Sequence, residues 1–308
     1  NCRNSLVVNT KSHFTKKQTG MNIPYSISVN YHLWPYCNYK CQYCFATFED
    51  IAEMQPTKRF LSIEESFKLI NMLADAGCKK ITFAGGKPTL CPWLSDLIAH
   101  AKQVGLKTMI VTNGSRLDDL FLAKNKGKLD WIAVSIDSIN TNTNNYIGRC
   151  SSKLYSKGEE EYLTLIKKIK SFGYRLKINT VVSSVNYKEN ITSFINAAKP
   201  ERWKILQTLP VIGQNDSKVD QFLITHGQFQ HYLDLNANLL PVIERVPESC
   251  DTITGSYVMI DPLGRFFDDT KGTHTYSSEI LKVGIERALS EISFDYQKYL
   301  SRGADYDF

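Results

Sequence analysis

Three cysteines stand close together near the start of the chain, in the run Cys37-Asn-Tyr-Lys-Cys41-Gln-Tyr-Cys44. Thiolates are the usual ligands of iron–sulfur clusters and of structural zinc. A [4Fe–4S] cluster held by only three cysteines keeps one iron open to a further ligand. The alternative is a zinc knuckle completed by a distant residue such as His32, but structural zinc sites usually pair two knuckles and the sequence has one. The spacing therefore favours a cluster that can also bind a small molecule.

Short apolar, β-branched runs alternate with amphipathic helical patterns from Ser26 onward, and these elements must position the cysteines. The predicted strands are Ile27–Tyr31, Lys80–Ala84, Lys107–Thr112, Trp131–Ile136, Arg175–Val182 and Trp203–Thr208, and the predicted helices are Ile63–Ala76, Trp93–Val104, Glu159–Phe172 and Lys188–Ala198. Such alternation predicts an α/β fold with a parallel sheet and right-handed crossovers. Six units are too few for a closed eight-stranded barrel, so we expect a partial (βα)6 barrel with its chemistry at the carboxyl ends of the strands.

The pattern divides the chain into three parts. Residues 1–20 are polar and poorly patterned, and we expect a disordered leader before Met21. Residues 21–213 form the partial barrel. Residues 214–308 do not repeat the barrel unit, and they are expected to form a C-terminal extension that covers the site, with a hairpin around Pro262-Leu-Gly264.

Composition excludes several classes of protein. The 308 residues carry a formal charge of +6 without a concentrated basic block, which argues against a nucleic-acid partner. No apolar run approaches the roughly 18 residues of a membrane span. Three of the eight cysteines are crowded together, a pattern that indicates metal binding in a reducing compartment rather than disulfides. We therefore predict a cytoplasmic, monomeric protein that does not bind membranes.

Glycine and small polar residues follow the next three strands, at the predicted site. The second strand ends in Ala84-Gly85-Gly86-Lys87-Pro88-Thr89, where two glycines would let the backbone approach a ligand closely. The third ends in Thr112-Asn113-Gly114-Ser115 and the fourth in Ser135-Ile-Asp137-Ser138. Taken alone, the last two runs are typical of turns and helix N-caps.

The cysteine spacing CxxxCxxC, placed after the first strand of a partial α/β barrel, resembles the radical S-adenosylmethionine (SAM) superfamily. The resemblance implies that the open iron chelates the amino and carboxylate groups of SAM, which is then cleaved to a 5′-deoxyadenosyl radical. It also implies cofactor-binding roles for Tyr43 beside the cluster or the adenine, Gly85, Gly86 and Lys87 in the glycine motif, Asn113 near SAM, Ser135 on the ribose hydroxyls, and Arg149 on the carboxylate.

Lys87 departs from the superfamily pattern, in which the motif is GGEP and its glutamate accepts a hydrogen bond from the SAM ammonium. A lysine reverses the charge at this position. Three interpretations are open: weaker SAM binding, a lysine that points away while backbone carbonyls hold the ammonium, or an inactivating change.

Further segments extend the resemblance to the viperin family over most of the chain from about Asn22 onward. They are Asn30-Tyr31-His32, Tyr146-Ile147-Gly148-Arg149, Lys177-Ile178-Asn179, Arg202-Trp203-Lys204, Gly255-Ser256-Tyr257 and the region Gly284–Phe294. This family converts a nucleoside triphosphate to its 3′-deoxy-3′,4′-didehydro analogue, a chain terminator of viral RNA synthesis. The resemblance implies CTP as the first candidate substrate, with UTP or GTP as alternatives, and a reductant such as flavodoxin or ferredoxin.

Cations on two neighbouring predicted strands are compatible with a triphosphate. Arg202 and Lys204 are two residues apart and project to one side of their strand, beside Lys177 on the preceding one. Solvated charges at a strand edge are the alternative. The resemblance assigns triphosphate or ribose binding to four residues, Lys177, Asn179, Arg202 and Lys204, and binding of the γ-phosphate to Lys271. It assigns proton donation to Tyr257, for which a purely structural role is the alternative.

Rival functions remain at this stage. Radical SAM enzymes of peptide maturation and GTP cyclases usually carry further C-terminal cysteines, and only Cys250 follows Cys150. A nucleotide- or cluster-binding protein in which Lys87 has impaired SAM cleavage is the rival from another class.

Overall fold

The computed structural model describes residues 27–55, 57–151, 155–216 and 218–304. The predicted leader, residues 1–20, and the first residues of the predicted barrel segment lie outside these ranges. Across the described ranges, every helix is too short or too polar to cross a membrane.

Ten strands form a single sheet. They are β1 (Ser28–Trp34), β2 (Lys80–Gly85), β3 (Lys107–Thr112), β4 (Trp131–Ser135), β5 (Arg175–Val182), β6 (Arg202–Gln207), β7 (Glu244–Glu248), β8 (Val258–Ile260), β9 (Arg265–Asp268) and β10 (Thr275–Glu279). Their order is β10-β9-β8-β1-β2-β3-β4-β5-β6-β7. Pairing is parallel from β8 through β1 to β7, and antiparallel between β8, β9 and β10. The predicted α/β fold with a parallel sheet is confirmed, and the six predicted barrel strands agree with β1–β6 to within three residues at each end.

Helices connect the parallel strands and also follow β10. They are α1 (Glu49–Met54), α2 (Ile63–Asp75), α3 (Leu94–Gln103), α4 (Asp119–Asn125), α5 (Thr141–Tyr146), α6 (Glu159–Ser171), α7 (Thr192–Ala198), α8 (His226–Leu235), α9 (Cys250–Ile253), α10 (Ile280–Val283), α11 (Ile285–Ser290) and α12 (Tyr296–Ser301). Helix α2 begins where its sequence predicts, because Ser62 and Glu65 form a capping box with N–H···O distances of 3.2 and 2.9 Å.

The two faces of the parallel sheet differ in chemistry. On β5 and β6, Leu176, Ile178, Trp203 and Ile205 join the apolar core beneath the helices. The alternate residues, which include Lys177, must face the other side because side chains alternate along a strand. A buried polar face therefore lies opposite the apolar one, and this is where a ligand site can form.

The sheet is curled but not closed. Strands β1 and β6 are five positions apart, which would be roughly 24 Å in a flat sheet at ~4.8 Å per strand. Residues 299–303 nevertheless reach both strands: the Tyr299 hydroxyl accepts a 2.8 Å hydrogen bond from the Ser28 amide, and the Gly303 carbonyl accepts a 3.1 Å bond from Arg202. The sheet thus forms a partial barrel with its ends held near each other by α12.

Residues after 213 complete the sheet at both edges. They supply β7 beside β6 and the β8–β9–β10 meander beside β1. Strand β7 has the sequence ERVPE, and its proline is tolerated because β7 is an edge strand.

Candidate functional site

The three cysteines of the motif lie on the loop that follows β1. This loop is fixed by backbone hydrogen bonds from Lys40 to the Gly148 carbonyl (3.2 Å) and from Gln42 to the Ile147 carbonyl (3.0 Å). The thiols of Cys37, Cys41 and Cys44 are free and partly buried. Three soft donors on one ordered loop suit iron–sulfur ligation.

Burial favours the protonated form of two of these thiols, Cys41 and Cys44, when no metal is bound. It raises the pKa of Cys41 to about 12, although Arg149 opposes the shift, and it also raises the pKa of Cys44. A metal must therefore displace protons on binding, as thiolate sites normally require. The donor set and its environment fit a cluster.

Glycines bring two backbone segments into contact with the cysteine loop. A Cβ added to Gly86, just after β2, would lie 2.6 Å from the backbone of Tyr36, and one added to Gly148 would collide with the carbonyl of Lys40. Gly85 has a φ of 121°, which side chains rarely adopt. The glycines at the end of β2 were predicted to let the backbone approach a ligand, and here they pack against the chain that enters the cysteine loop.

Lys87 turns inward and joins a polar network at the ends of β2 and β3. Its side chain is 1% exposed, and its ammonium donates to the side-chain amide oxygen of Asn113 at 2.7 Å and to the Ser115 hydroxyl. Asn113 and Ser115 in turn bond to Asn38 of the cysteine loop, at 3.1 and 3.0 Å. Burial lowers the pKa of Lys87 to about 7. The lysine thus links two strand ends to the cysteine loop rather than pointing away.

Asp137, after β4, holds together three of the surrounding elements. It accepts hydrogen bonds from the Tyr43 hydroxyl (2.5 Å), from two guanidinium nitrogens of Arg149 and from the Val181 amide (2.8 Å). Burial opposes the charged form of Arg149, but Asp137 raises its pKa well above the usual range. Arg149 is therefore engaged by a buried carboxylate, with Ser135 contributing its carbonyl at 3.5 Å. Sequence reasoning placed Tyr43, Ser135 and Arg149 near SAM but gave Asp137 no role beyond its motif.

The predicted substrate residues form rows across neighbouring strands. Ser135 on β4 is paired with Asn179 on β5, and Asn179 with Lys204 on β6. Lys177 is likewise paired with Arg202, two residues earlier. In-register neighbours project to the same face, so the structure brings these side chains together. The Asn179 side-chain oxygen is buried and accepts no hydrogen bond from the residues that the structure describes.

Tyr257 lies between two cations and beside a buried carboxylate. Its hydroxyl accepts a 2.6 Å hydrogen bond from Lys204 and donates to Glu248, while the Arg302 guanidinium lies 3.7 Å from its ring centroid. Glu248 is fully buried and also forms ion pairs with Lys204 (2.5 Å) and Arg302 (3.5 Å). Sequence reasoning identified Tyr257 and Lys204 but missed Glu248 and Arg302, which come from β7 and from the end of α12.

Several buried cations surround this carboxylate on the polar face of the sheet. Burial lowers the pKa of Lys177 well below its usual value, and Lys204 and Arg202 add to the shift. Burial, and to a smaller extent the charge of Lys177, also lowers the pKa of Lys80 well below its usual value. Lys80 is a buried cation at the start of β2 that sequence reasoning missed. Lys271 is exposed in the turn between β9 and β10, so the structure does not bury it with the other cations.

His32 packs among aromatic rings. Its ring contacts Phe45, Phe48 and Phe267 edge-to-face, at centroid distances of 5.9, 5.5 and 5.4 Å. Burial lowers the pKa of His32 to about 3 and that of neighbouring His274 to about 4. In the described part of the chain, no three His, Cys, Asp or Glu residues converge to hold a single metal ion.

Comparison with known proteins gives a consistent family. A model of the radical SAM superfamily matches residues 31–199. The chain is 51% identical over 296 residues to an S-adenosylmethionine-dependent nucleotide dehydratase of Lacinutrix mariniflava, with 96% of this chain and 61% of that protein covered. It therefore spans about three-fifths of the length of this relative. A protein of the same name from Flammeovirga pacifica is 45% identical over 281 residues, with 91% and 96% covered. The Danio rerio protein named S-adenosylmethionine-dependent nucleotide dehydratase RSAD2 is 33% identical over 312 residues, with 96% and 82% covered.

Solved structures share the fold at low sequence identity. Native anSMEcpe with bound AdoMet has a TM-score of 0.63 and 13% identity, with 92% of this chain and 84% of that chain covered. Streptococcus suis SuiB bound to S-adenosylmethionine has a TM-score of 0.59 and 16% identity, with 78% and 59% covered. These two likenesses concern the fold alone.

Proposed function

The chain belongs to the radical SAM superfamily, among the enzymes named S-adenosylmethionine-dependent nucleotide dehydratases, and we propose that it dehydrates the ribose of a nucleoside triphosphate. The product is the 3′-deoxy-3′,4′-didehydro nucleotide, which would act as a chain terminator of viral RNA synthesis. CTP is the first candidate substrate, and UTP and GTP are the alternatives.

The observation that carries the proposal is the cluster of buried cations on the polar face of the sheet. Lys177, Arg202 and Lys204 are each at most 6% exposed, and the fully buried carboxylate in their midst is Glu248. Lys204 pairs with Glu248 and Arg202 with Glu244, and a cluster of cations at one place suits a ligand with several negative charges. A triphosphate supplies several negative charges, and lysine and arginine are the side chains that bind phosphate oxygens.

The cofactor assignment rests on the cysteine loop. We propose that Cys37, Cys41 and Cys44 hold a [4Fe–4S] cluster and that Tyr43, Gly85, Gly86, Lys87, Asn113, Ser135 and Arg149 surround SAM. When bound, cluster and SAM supply the one-electron chemistry that removes the hydrogen from C4′ of the ribose. The remaining work of the protein is to bind, to orient and to exclude water.

Side chains around Tyr257 suit the loss of the 3′-hydroxyl as water. Asn179 has a buried acceptor oxygen that can take a hydrogen bond from a ribose hydroxyl. Tyr257 carries a proton on a hydroxyl that is already oriented between Lys204 and Glu248. We therefore assign Tyr257 as the proton donor to the leaving oxygen and Lys204 as the residue that positions it.

Two further assignments accompany the proposal. A small electron-transfer protein such as flavodoxin or ferredoxin is the expected reductant, acting on a cytoplasmic monomer. Lys271 remains a candidate γ-phosphate ligand; its exposed position in the β9–β10 turn requires that this turn move toward the site.

A second candidate function follows from Lys87. A buried cation beside the cysteine loop is unfavourable for the ammonium of SAM, so the chain could bind cluster and nucleotide without cleaving SAM. This rival predicts no 5′-deoxyadenosine under any condition.

The test is anaerobic reconstitution with iron and sulfide, followed by reduction in the presence of SAM alone or with each nucleoside triphosphate. Formation of 5′-deoxyadenosine and nucleotide mass would be followed together. We expect one triphosphate to stimulate 5′-deoxyadenosine and to yield a nucleotide lighter by one water, ~18 Da, because dehydration removes no other atoms. Absence of 5′-deoxyadenosine with every nucleoside triphosphate tested would refute the dehydratase in favour of the binding protein.

A further inference from the structure

The ammonium of Lys87 is a buried cation whose hydrogen-bond acceptors are neutral. Within the described residues these acceptors are the Asn113 amide oxygen and the Ser115 hydroxyl, and the Tyr39 ring lies 6.0 Å away. A lysine ammonium has three N–H donors, so one donor remains for a further acceptor. Burial of this charge is costly unless an anion completes its coordination.

Arg149, the other buried cation near the cysteine loop, is already paired. Two of its nitrogens donate to Asp137, which also accepts from Tyr43. Any ligand carboxylate that used Arg149 would have to compete with this buried carboxylate. Lys87 faces no such competitor among the residues that the structure describes.

We propose that Lys87 forms the subsite for the α-carboxylate of SAM. The methionyl group of SAM carries one carboxylate and one ammonium, and only the carboxylate gains from a neighbouring cation. Asn113 and Ser115 hold the ammonium of Lys87 in place. Asn38 connects this network to the loop that bears the cysteines. The reversal of charge at position 87 thus changes which end of the amino-acid group is recognised, instead of abolishing recognition. This inference rests on SAM binding, which is part of the proposed function, but not on the nucleotide or its dehydration.

The test compares SAM with decarboxylated SAM, which keeps the ammonium and lacks the carboxylate. Dissociation constants would be measured by anaerobic calorimetry on cluster-reconstituted protein without nucleotide. The main variant is Lys87→Gln, which keeps a hydrogen-bond donor near Asn113 and Ser115 without the charge. Lys40→Gln is the matched control, because Lys40 is an exposed lysine on the same loop.

We expect the preference of the wild type for SAM over decarboxylated SAM to fall by about tenfold or more in Lys87→Gln, since a charge-assisted hydrogen bond is lost. Lys40→Gln should keep the wild-type preference. Lys87→Met provides the same comparison if the glutamine variant does not incorporate iron. An unchanged preference in the Lys87 variants would overturn the inference while leaving SAM binding intact. Failure of the wild type to bind either compound would overturn both this inference and the proposed function.

Discussion

Replacement of Glu248 by glutamine should destabilise the nucleotide-free protein strongly. The carboxylate is fully buried and contacts Lys204 at 2.5 Å, Arg302 at 3.5 Å and the Tyr257 hydroxyl. Loss of one partner of a buried ion pair typically costs about 3–5 kcal/mol. At about 2 °C per kcal/mol, the lower end for domains of 150–250 residues, the melting temperature should fall by roughly 6–10 °C.

The same change should increase the stabilisation that a polyphosphate gives. Without Glu248, more of the charge on Lys204 and Arg302 is left for an anion to neutralise. Thermal unfolding followed by tryptophan fluorescence, with and without saturating tripolyphosphate, measures both effects. We expect a larger upward shift of the melting temperature for Glu248→Gln than for the wild type.

Glu244→Gln is the matched control. Glu244 is paired with Arg202 at 3.2 Å, but its side chain is 54% exposed, so this change should cost about 0–1 kcal/mol. Combining Glu248→Gln with Lys204→Met should recover part of the lost stability, because both charges of the buried pair are then absent. The reasoning is wrong if Glu248→Gln melts no earlier than Glu244→Gln, or if tripolyphosphate stabilises it no more than the wild type.

Three further predictions concern the histidines, the glycine motif and the proton donor. Because burial lowers the pKa of His32 to about 3 and of His274 to about 4, below the 6.5 of the free side chain, the unfolded chain binds more protons between about pH 4 and 6.5. The free energy of unfolding should therefore fall with falling pH in this window by roughly 1.4 kcal/mol per pH unit for each histidine. In urea titrations at several pH values, His274→Gln should remove the contribution of one histidine to this pH dependence. Gly86→Ala should lower the free energy of unfolding by about 1–3 kcal/mol and reduce iron incorporation, because the added Cβ would lie 2.6 Å from backbone atoms. Gly227→Ala is the control and should be close to neutral, since its nearest contact is at 3.9 Å. Equal iron contents in the two variants would contradict the prediction. Tyr257→Phe should lower the rate of nucleotide dehydration roughly 100-fold or more with nucleotide binding retained, and full turnover would exclude it as the donor.

The sequence predicted the central fold because its strands carry a clear alternation. On β5 and β6, apolar residues alternate with Lys177, Asn179, Arg202 and Lys204, and this period places all four polar side chains on one face. Parallel pairing then brings the two strands into register. Local pattern was sufficient here, because strand neighbours follow from the order of the chain.

Residues that depend on distant pairing were not predictable in this way. Glu248 ends an edge strand that contains a proline and lacks a clean alternation, and Arg302 lies in the last turns of the chain. Asp137 was visible as part of a turn motif, but its contacts with Tyr43 and Arg149 join the β1–β2 connection to the β4–β5 connection. Spacing along a sequence indicates which side chains share a face, whereas it does not indicate which distant carboxylate will neutralise a buried cation.

The position of β8 beside β1 has a consequence for synthesis on the ribosome. Val29 pairs with Val258, 229 residues later in the chain, so one edge of β1 must wait for its partner until those residues have been made. At ~5–20 residues per second, this delay is roughly 10–45 s. During that time an apolar strand has an unpaired edge, which is the feature that invites aggregation between chains. Co-expression of chaperones that cover exposed strands should therefore raise the yield of folded protein.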